Sequence, residues 1–96
     1  MKESELQRKV IETCNWLGLR HYHTFDSRKS AAGFPDLVIV GPLGVLFVEL
    51  KSDKGLVSPQ QEAWVADLER AGAEAFIIRP AGFDHLVKRL KYISGK

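Results

Sequence analysis

Cysteine and long apolar runs are the two features that the sequence most clearly lacks. Cys14 is the only cysteine among the 96 residues, so an intrachain disulfide is excluded and a cysteine-based zinc cluster would lack its ligands. No run of apolar side chains exceeds four residues, whereas a membrane-spanning helix needs about 20. The charged start at residues 1–5 has no apolar signal core behind it. We therefore expect a cytoplasmic protein with no membrane or export segment.

A strong charge of one sign is also missing. Fourteen basic and 12 acidic side chains leave a formal net charge of +2, which does not by itself indicate a nucleic-acid-binding protein. Apolar residues make up 45% of the chain and charged residues 27%, which is the usual composition of a folded protein. Since no repeat or linker interrupts the chain, we expect residues 1–96 to form a single domain with a modest core.

The spacing of apolar residues predicts helices and strands in the order α-β-β-β-α-β-α. The helix between the central hairpin and the last strand is long enough to be a crossover connection. We therefore expect an α/β fold with a mixed sheet flanked by helices. The expected elements are a helix at 5–17, a strand at 21–25, a polar loop at 26–33, hairpin strands at 37–40 and 45–51, a helix from 59, a strand at 75–78 and a helix around 86–93.

Residues 58–61 carry the signature of a helix start. Ser58 is expected to be the N-cap, Pro59 the first helical residue and Gln61 the capping-box partner of Ser58. Gly72 is expected to end the same helix, because glycine adopts the left-handed conformation at little cost. The chain between these two signals therefore predicts a helix that follows the hairpin directly.

Charged residues at the ends of two apolar strands are the most informative feature for function. Asp36 precedes the strand 37–40, and Glu49 and Lys51 end the strand that follows. If residues 37–40 pair with 45–48, Asp36 lies across from Glu49 at the open end of the hairpin. Because side chains alternate along a strand, Glu49 and Lys51 share one face of it. The sequence therefore predicts two converging carboxylates with a lysine beside them.

Such a group of side chains suits metal-assisted hydrolysis of a phosphodiester. Two carboxylates and a backbone carbonyl, such as that of Leu50, form an oxygen ligand set for Mg²⁺. Lys51 can orient or deprotonate the attacking water and offset negative charge on a phosphate. The alternative is a structural ion pair between Asp36 and Lys51 at the strand end, with Glu49 in solvent.

The segments around these residues resemble a known family. The stretches GFPDL at 33–37 and ELK at 49–51 resemble the PD-(D/E)xK nuclease signature. With a glutamate in the first helix and GLVSPQQ at 55–61, the chain is most similar to the virus-type replication-repair nuclease (VRR-NUC) domain, from about residue 3 to residue 79. The resemblance implies a restriction-endonuclease-like αβββαβ core and an endonuclease that depends on Mg²⁺ or Mn²⁺.

The resemblance also implies roles for individual residues. Asp36 and Glu49 would bind the metal, and Lys51 would position the attacking water. Gln61 would be the family's glutamine that reaches towards the site, although a capping-box glutamine needs no catalytic role.

Two glutamates are available for the acidic position that the family has in its first helix. Glu3 is favoured, because its distance from the first apolar residue of the helix matches the family's pattern. Glu5 is the alternative if the helix begins after a Ser4 N-cap, since Glu3 would then lie outside the first turn. The sequence leaves this choice open.

DNA is the substrate that the resemblance implies. Arg28 and Lys29 in the polar loop would suit contacts with the DNA backbone, and an ordinary exposed loop is the alternative. Small stand-alone members of the family resemble nucleases that act on branched DNA, and symmetric cutting of two strands by a chain with one site needs a homodimer. We therefore predict a four-way (Holliday) junction resolvase. The alternatives are a flap, single-strand or restriction-like nuclease and a non-catalytic DNA-binding module.

Overall fold

A four-stranded sheet and three α-helices make up the computed structural model over the residues that it describes, 1–24 and 31–96. The strand order is β1-β2-β3-β4, in which the first three strands are antiparallel and the fourth runs parallel to its neighbour. The predicted order of elements and the mixed sheet are confirmed. The elements are α1 (Glu3–Trp16), β1 (Arg20–His23), β2 (Leu37–Gly41), β3 (Gly44–Leu50), α2 (Pro59–Arg70), β4 (Glu74–Ile78), a 3-10 turn (Pro80–Gly82) and α3 (Phe83–Ser94).

The β2–β3 hairpin has the register that the sequence predicts. Leu37 pairs with Val48, so Asp36 lies just before the first pair and Glu49 just after it. The α2 crossover then returns the chain so that β4 runs parallel to β3. The start of β2 therefore meets the ends of β3 and β4 at one edge of the sheet.

Apolar side chains from one face of the sheet pack against α1 and α3, whereas α2 covers the opposite face next to β4. Alternation along the strands explains this division, because every second residue points to the same face. In the described ranges, none of the helices has the length and apolar character required to cross a membrane. The fully or almost fully buried side chains of the core are Leu6, Val10, Cys14, Leu37, Ile39, Leu46, Val48, Leu50, Leu86, Leu90 and Ile93.

The start of α1 differs from the sequence-based expectation. The helix begins at Glu3, with Lys2 in the N-cap position and no side-chain capping bond, so the alternative of a Ser4 cap is wrong. A tertiary contact holds this end of α1 instead, because the Met1 ammonium pairs with Asp53 Oδ2 at 2.9 Å. Glu3 is therefore in the first helical turn, beside the chain that leaves β3.

The predicted capping box at the start of α2 is confirmed. Ser58 Oγ accepts a hydrogen bond from the Gln61 N–H at 3.1 Å, and Gln61 Oε1 accepts one from the Ser58 N–H at 2.9 Å. Pro59 is the first helical residue, and Gly72 follows the helix with a φ of +93°. Local sequence thus fixes both ends of α2.

The first strand is shorter than predicted at its carboxyl end. β1 ends at His23, and the Thr24 N–H still donates to the carbonyl oxygen of Asp36 at 2.9 Å. Residue 25 of the predicted strand and residues 26–30 of the predicted loop lie outside the described residues, and these include Arg28 and Lys29.

Candidate active site

Asp36 is held in place by the strands on both sides of it. Its Oδ2 accepts the Leu50 N–H of β3 at 2.8 Å, and its main-chain carbonyl accepts the Thr24 N–H that follows β1. The Thr24 hydroxyl also donates to the carbonyl of Pro35 at 3.0 Å. These bonds fix the Asp36 carboxylate at the sheet edge, beside the end of β3.

Glu49 is a carboxylate inside the fold. It is 2% exposed and lies on the face of β3 that α2 covers. Gln61 Nε2 donates to Glu49 Oε2 at 3.0 Å, and Lys51 Nζ lies 3.9 Å from the same oxygen. The other oxygen, Oε1, is buried and has no hydrogen-bond partner in the described part of the chain. A buried polar atom without a partner is costly, so this oxygen is available to a ligand.

Gln61 closes the capping box and also contacts Glu49. Its Oε1 accepts the Ser58 N–H of the capping box, so its Nε2 points away from the cap and donates to Glu49. The helix cap therefore sets the orientation of the amide that contacts the carboxylate. One side chain thus joins the start of α2 to the end of β3.

The structural alternative for the charged strand end is wrong. Glu49 is buried rather than in solvent, and the ion pair present is between Lys51 and Glu49. The Lys51 side chain is 12% exposed, and its main-chain N–H donates to the Ile78 carbonyl of β4 at 3.0 Å. The separation of 3.9 Å is longer than a hydrogen bond, so the Lys51 ammonium does not use a donor on Glu49.

Glu3 lies close to this group, whereas Glu5 does not. Partial desolvation raises the pKa of Glu3, the charge of Asp36 raises it further, and Lys51 lowers it. Both glutamates are exposed, but the charge of Glu5 acts on the Met1 ammonium instead. Of the two candidates in the first helix, the fold thus brings Glu3 within electrostatic range of the strand-end residues.

Three carboxyl groups therefore share a site with one lysine among the described residues. Burial raises the pKa of Glu49 to about 8, and the nearby charges of Asp36 and Glu3 raise it further. Lys51 opposes this change but does not cancel it. Excess negative charge in a buried position favours protonation or the binding of a cation.

The oxygen atoms at this sheet edge fit a hard divalent cation. The Leu50 N–H points towards Asp36, and the carbonyl of a residue in an extended strand points to the same side as its N–H. If the register is continued beyond the Leu37–Val48 pair, Pro35 comes opposite Leu50, and proline has no N–H to donate to that carbonyl. No three His, Cys, Asp or Glu side chains in the described ranges form a metal site by themselves. Mg²⁺ or Mn²⁺ would therefore be held by Asp36, Glu49, this carbonyl and water.

An aromatic cluster packs the segment before Asp36 against α2 and β3. Phe34 contacts Trp64 of α2 and Phe47 of β3 edge to face, at ring-centroid distances of 5.1 and 6.4 Å. Trp64 Nε1 also donates to the Ala32 carbonyl at 3.1 Å. The cluster thus brings Asp36 to the same edge of the sheet as the start of α2.

Two residues that no sequence motif singles out also support the site. Thr24 bonds to the segment that carries Asp36, and Arg79 Nη1 donates to the Ser52 carbonyl at 2.8 Å just after Lys51. No sequence signal reveals either residue, because each acts on a main-chain carbonyl of a distant segment.

Comparisons with known proteins agree with this fold. The family model for the VRR-NUC domain matches residues 2–81. A solved VRR-NUC domain protein is similar with a TM-score of 0.67 and 22% identity, over 97% of this chain and 88% of that chain. Hjc of Archaeoglobus fulgidus, a Holliday junction resolvase from an archaeal hyperthermophile, is similar with a TM-score of 0.58 and 23% identity, over 79% of this chain and 67% of that chain. A comparison with curated proteins gives no match. The similarities to solved structures show the fold, and the family model shows that the chain belongs to the VRR-NUC family of nuclease domains.

Proposed function

We propose that the chain is a Mg²⁺- or Mn²⁺-dependent endonuclease that cuts DNA at branch points, and specifically a four-way junction resolvase that acts as a homodimer. The observation that carries the proposal is Glu49 Oε1, a buried carboxylate oxygen without a partner in the described residues. It lies beside Asp36 and Lys51, at the position that the sequence signature assigns to metal and water.

The metal would be held by the Asp36 carboxylate, Glu49 Oε1 and the Leu50 carbonyl. When bound, the cation supplies Lewis-acid polarisation of the scissile phosphate and lowers the pKa of the attacking water. Gln61 keeps Glu49 Oε2 occupied, which directs the free oxygen of this carboxylate to the metal side. Asp36 is held in register by the Leu50 N–H, so both carboxylates are oriented before metal or substrate arrives.

Lys51 and Glu3 would act on water and phosphate. The Lys51 ammonium is close enough to Glu49 to be held by its charge, yet it keeps its hydrogen-bond donors for the attacking water and a phosphate oxygen. Glu3 lies near both Asp36 and Lys51 and would accept a hydrogen bond from a water molecule of the site. Together these residues would promote hydrolysis of a phosphodiester whose phosphate oxygens are bound by positive charge.

The preference for branched DNA and the homodimer are proposed from the similarity to Hjc and from the symmetry of paired cutting. The solved structure of Hjc, which is similar in fold, is that of a Holliday junction resolvase. The described part of one chain has one candidate site, so paired cuts in two strands of a junction require two copies, most simply with twofold symmetry. Arg28 and Lys29 are proposed to contact the DNA backbone.

Cleavage of end-labelled DNA tests the proposal. A four-way junction, a flap, a linear duplex and a single strand of shared sequence are incubated with the protein in Mg²⁺ or Mn²⁺. We expect paired symmetric nicks in the junction, and a fall in their rate by a factor of about 10² or more for Asp36→Asn and for Lys51→Ala. Asp84→Asn, which removes an exposed carboxylate from α3, is the matched control and should cut DNA at the wild-type rate.

The other outcomes each point to a different function. Cutting mainly of flaps or single strands would keep the metal site but remove the resolvase assignment. Sequence-specific cutting of the linear duplex would indicate a restriction-like nuclease. Junction binding without cutting in either metal would indicate a DNA-binding module. A monomer in sedimentation of the junction complex would contradict the homodimer.

A further inference from the structure

The β3–α2 loop, residues 52–57, carries one of the two most exposed apolar side chains in the described part of the chain. Leu56 is 88% exposed, and Trp16 at the far end of α1 is 87% exposed. A single apolar side chain on a surface is ordinary, so exposure alone says little about function. The position of Leu56 carries the argument, because its loop runs from Lys51 to the N-cap of α2, and both border the candidate site.

Hydrogen bonds anchor this loop at both ends. Arg79 Nη1 donates to the carbonyls of Ser52 and Asp53 at 2.8 and 3.3 Å, and the Met1 ammonium pairs with the Asp53 carboxylate. At the other end, the capping box fixes Ser58. Three structural elements thus hold a short loop whose apolar side chain makes little contact with the protein.

Gly55 brings the loop against the catalytic lysine. A Cβ atom at Gly55 would lie 3.6 Å from Lys51 Cδ and 2.9 Å from Ser52 Oγ, so the glycine backbone rests on the stem of Lys51. Leu56 is the next residue, about 3.8 Å further along the chain from Cα to Cα. Lys54, on the other side of Gly55, is exposed. The loop thus presents an apolar and a cationic side chain at the rim of the site.

We propose that Leu56 is a rigid wedge that enters the base stack at a DNA branch point, while Lys54 contacts an adjoining phosphate. This inference rests on the proposed nuclease function and adds a basis for its choice of substrate. Inserted leucine side chains partly unstack DNA, and unstacking costs least where pairing or stacking is already interrupted. An anchored loop also loses little conformational freedom on binding. Leu56 therefore favours branched DNA over a continuous duplex, next to the bond that is cut.

A base step fits this loop better than a protein partner does. Protein interfaces need a contiguous surface of many residues, whereas the neighbours of Leu56 are Gly55, with no side chain, the half-buried Val57, and the charged pair Asp53 and Lys54. Insertion into DNA needs one apolar side chain and a nearby cation for the phosphate. The loop has both.

Fluorescence of 2-aminopurine at the branch point of a four-way junction tests the wedge directly. The junction is bound without divalent cation, so that the measurement does not depend on cutting. We expect an increase in fluorescence with the wild type and with Leu56→Met, and little increase with Leu56→Ala at saturating protein. In Mg²⁺, the ratio of kcat/KM on the junction to that on the linear duplex should fall about tenfold for Leu56→Ala. Trp16→Ala, the matched loss of an exposed apolar side chain, should leave this ratio unchanged.

The outcomes separate the wedge from the nuclease proposal. Normal junction cutting with the same fluorescence and the same substrate ratio for Leu56→Ala would overturn the wedge and leave the nuclease intact. A Leu56-dependent increase in fluorescence without any cutting would support the wedge and overturn the nuclease. A dimer that becomes a monomer on Leu56→Ala, with branch-point fluorescence unchanged, would overturn the wedge in favour of a contact between copies.

Discussion

Glu49 makes the stability of the metal-free protein depend on pH in a specific direction. Burial, with the charges of Asp36 and Glu3, raises its pKa from 4.5 to about 8. Between these two pH values the folded protein keeps a proton that the unfolded chain has released. The free energy of unfolding therefore falls as the pH rises from 4.5 to 8 and levels off above that. Glutamine has no carboxyl group to titrate, so the Glu49→Gln variant should lack this part of the pH dependence.

The expected effect is large for a protein of this size. Each pH unit between the unfolded and folded pKa values of one group corresponds to about 1.4 kcal/mol. The window of about 3.5 pH units for Glu49 thus sets an upper limit of roughly 5 kcal/mol on the loss of stability. Total stabilities of single domains are about 5–15 kcal/mol, so the metal-free protein should weaken measurably at alkaline pH.

Urea unfolding at several pH values from 5 to 9, in the presence of EDTA, measures this effect. We expect Glu49→Gln to be more stable than the wild type by a few kcal/mol at pH 8.5, and the two to have similar stability near pH 5. Glu62→Gln, which removes an exposed carboxylate from α2, is the control and should follow the wild type. Parallel curves for wild type and Glu49→Gln would refute the reasoning, because Glu49 would then be ionised at no cost in the folded state.

Two further predictions concern the parts that hold the site together. Gln61→Glu keeps a capping-box acceptor but replaces the amide that donates to Glu49. Metal-dependent cleavage should therefore fall about 10- to 100-fold, which is the effect of losing one hydrogen bond to a charged group, while helix content stays unchanged. Gln60→Glu is the exposed control, and equal cleavage rates for the two variants would contradict this role of Gln61. Gly72→Ala should lower the free energy of unfolding by about 1–2 kcal/mol, because the φ of Gly72 is +93°. A Cβ at this position would have no atom within 4 Å, so the backbone strain is the whole cost. Gly33→Ala should lower the free energy of unfolding, measured in urea, by about 1–3 kcal/mol more than Gly72→Ala does, because the φ of Gly33 is +83° and a Cβ there would lie 2.5 Å from the Gln60 backbone. Equal losses for the two variants would contradict the close approach of Gly33 to Gln60.

The parts of the fold that local signals encode were predictable from the sequence. The hairpin register follows from alternation, because a slip of one residue would move Leu37 and Val48 from the core to the opposite face. The start of α2 follows from Ser58, Pro59 and Gln61, whose contacts lie within one helical turn. Since these two elements carry Asp36, Glu49 and Gln61, the strand-end arrangement was predictable too.

The remaining features depend on contacts between segments far apart in sequence. The predicted start of α1, residue 5, lies two residues after the observed start at Glu3. The Met1–Asp53 ion pair, rather than a side-chain cap, holds this end of the helix. The burial of Glu49 depends on how α2 covers the sheet, and an alternating strand pattern does not show which polar residue will be covered. Thr24 and Arg79 bind main-chain carbonyls, which exist at every position and leave no mark on the sequence.

Gln61 makes helix formation and assembly of the site a single event. Its Nε2 reaches Glu49 while its Oε1 closes the capping box, so a frayed start of α2 would lose both contacts together. Glu49 Oε2 would then lose its amide donor in a position where ionisation already costs stability. Binding of a divalent cation requires Glu49 to be ionised. This ionisation therefore costs the least free energy when α2 is fully capped. Metal binding should therefore also stabilise the first turn of α2.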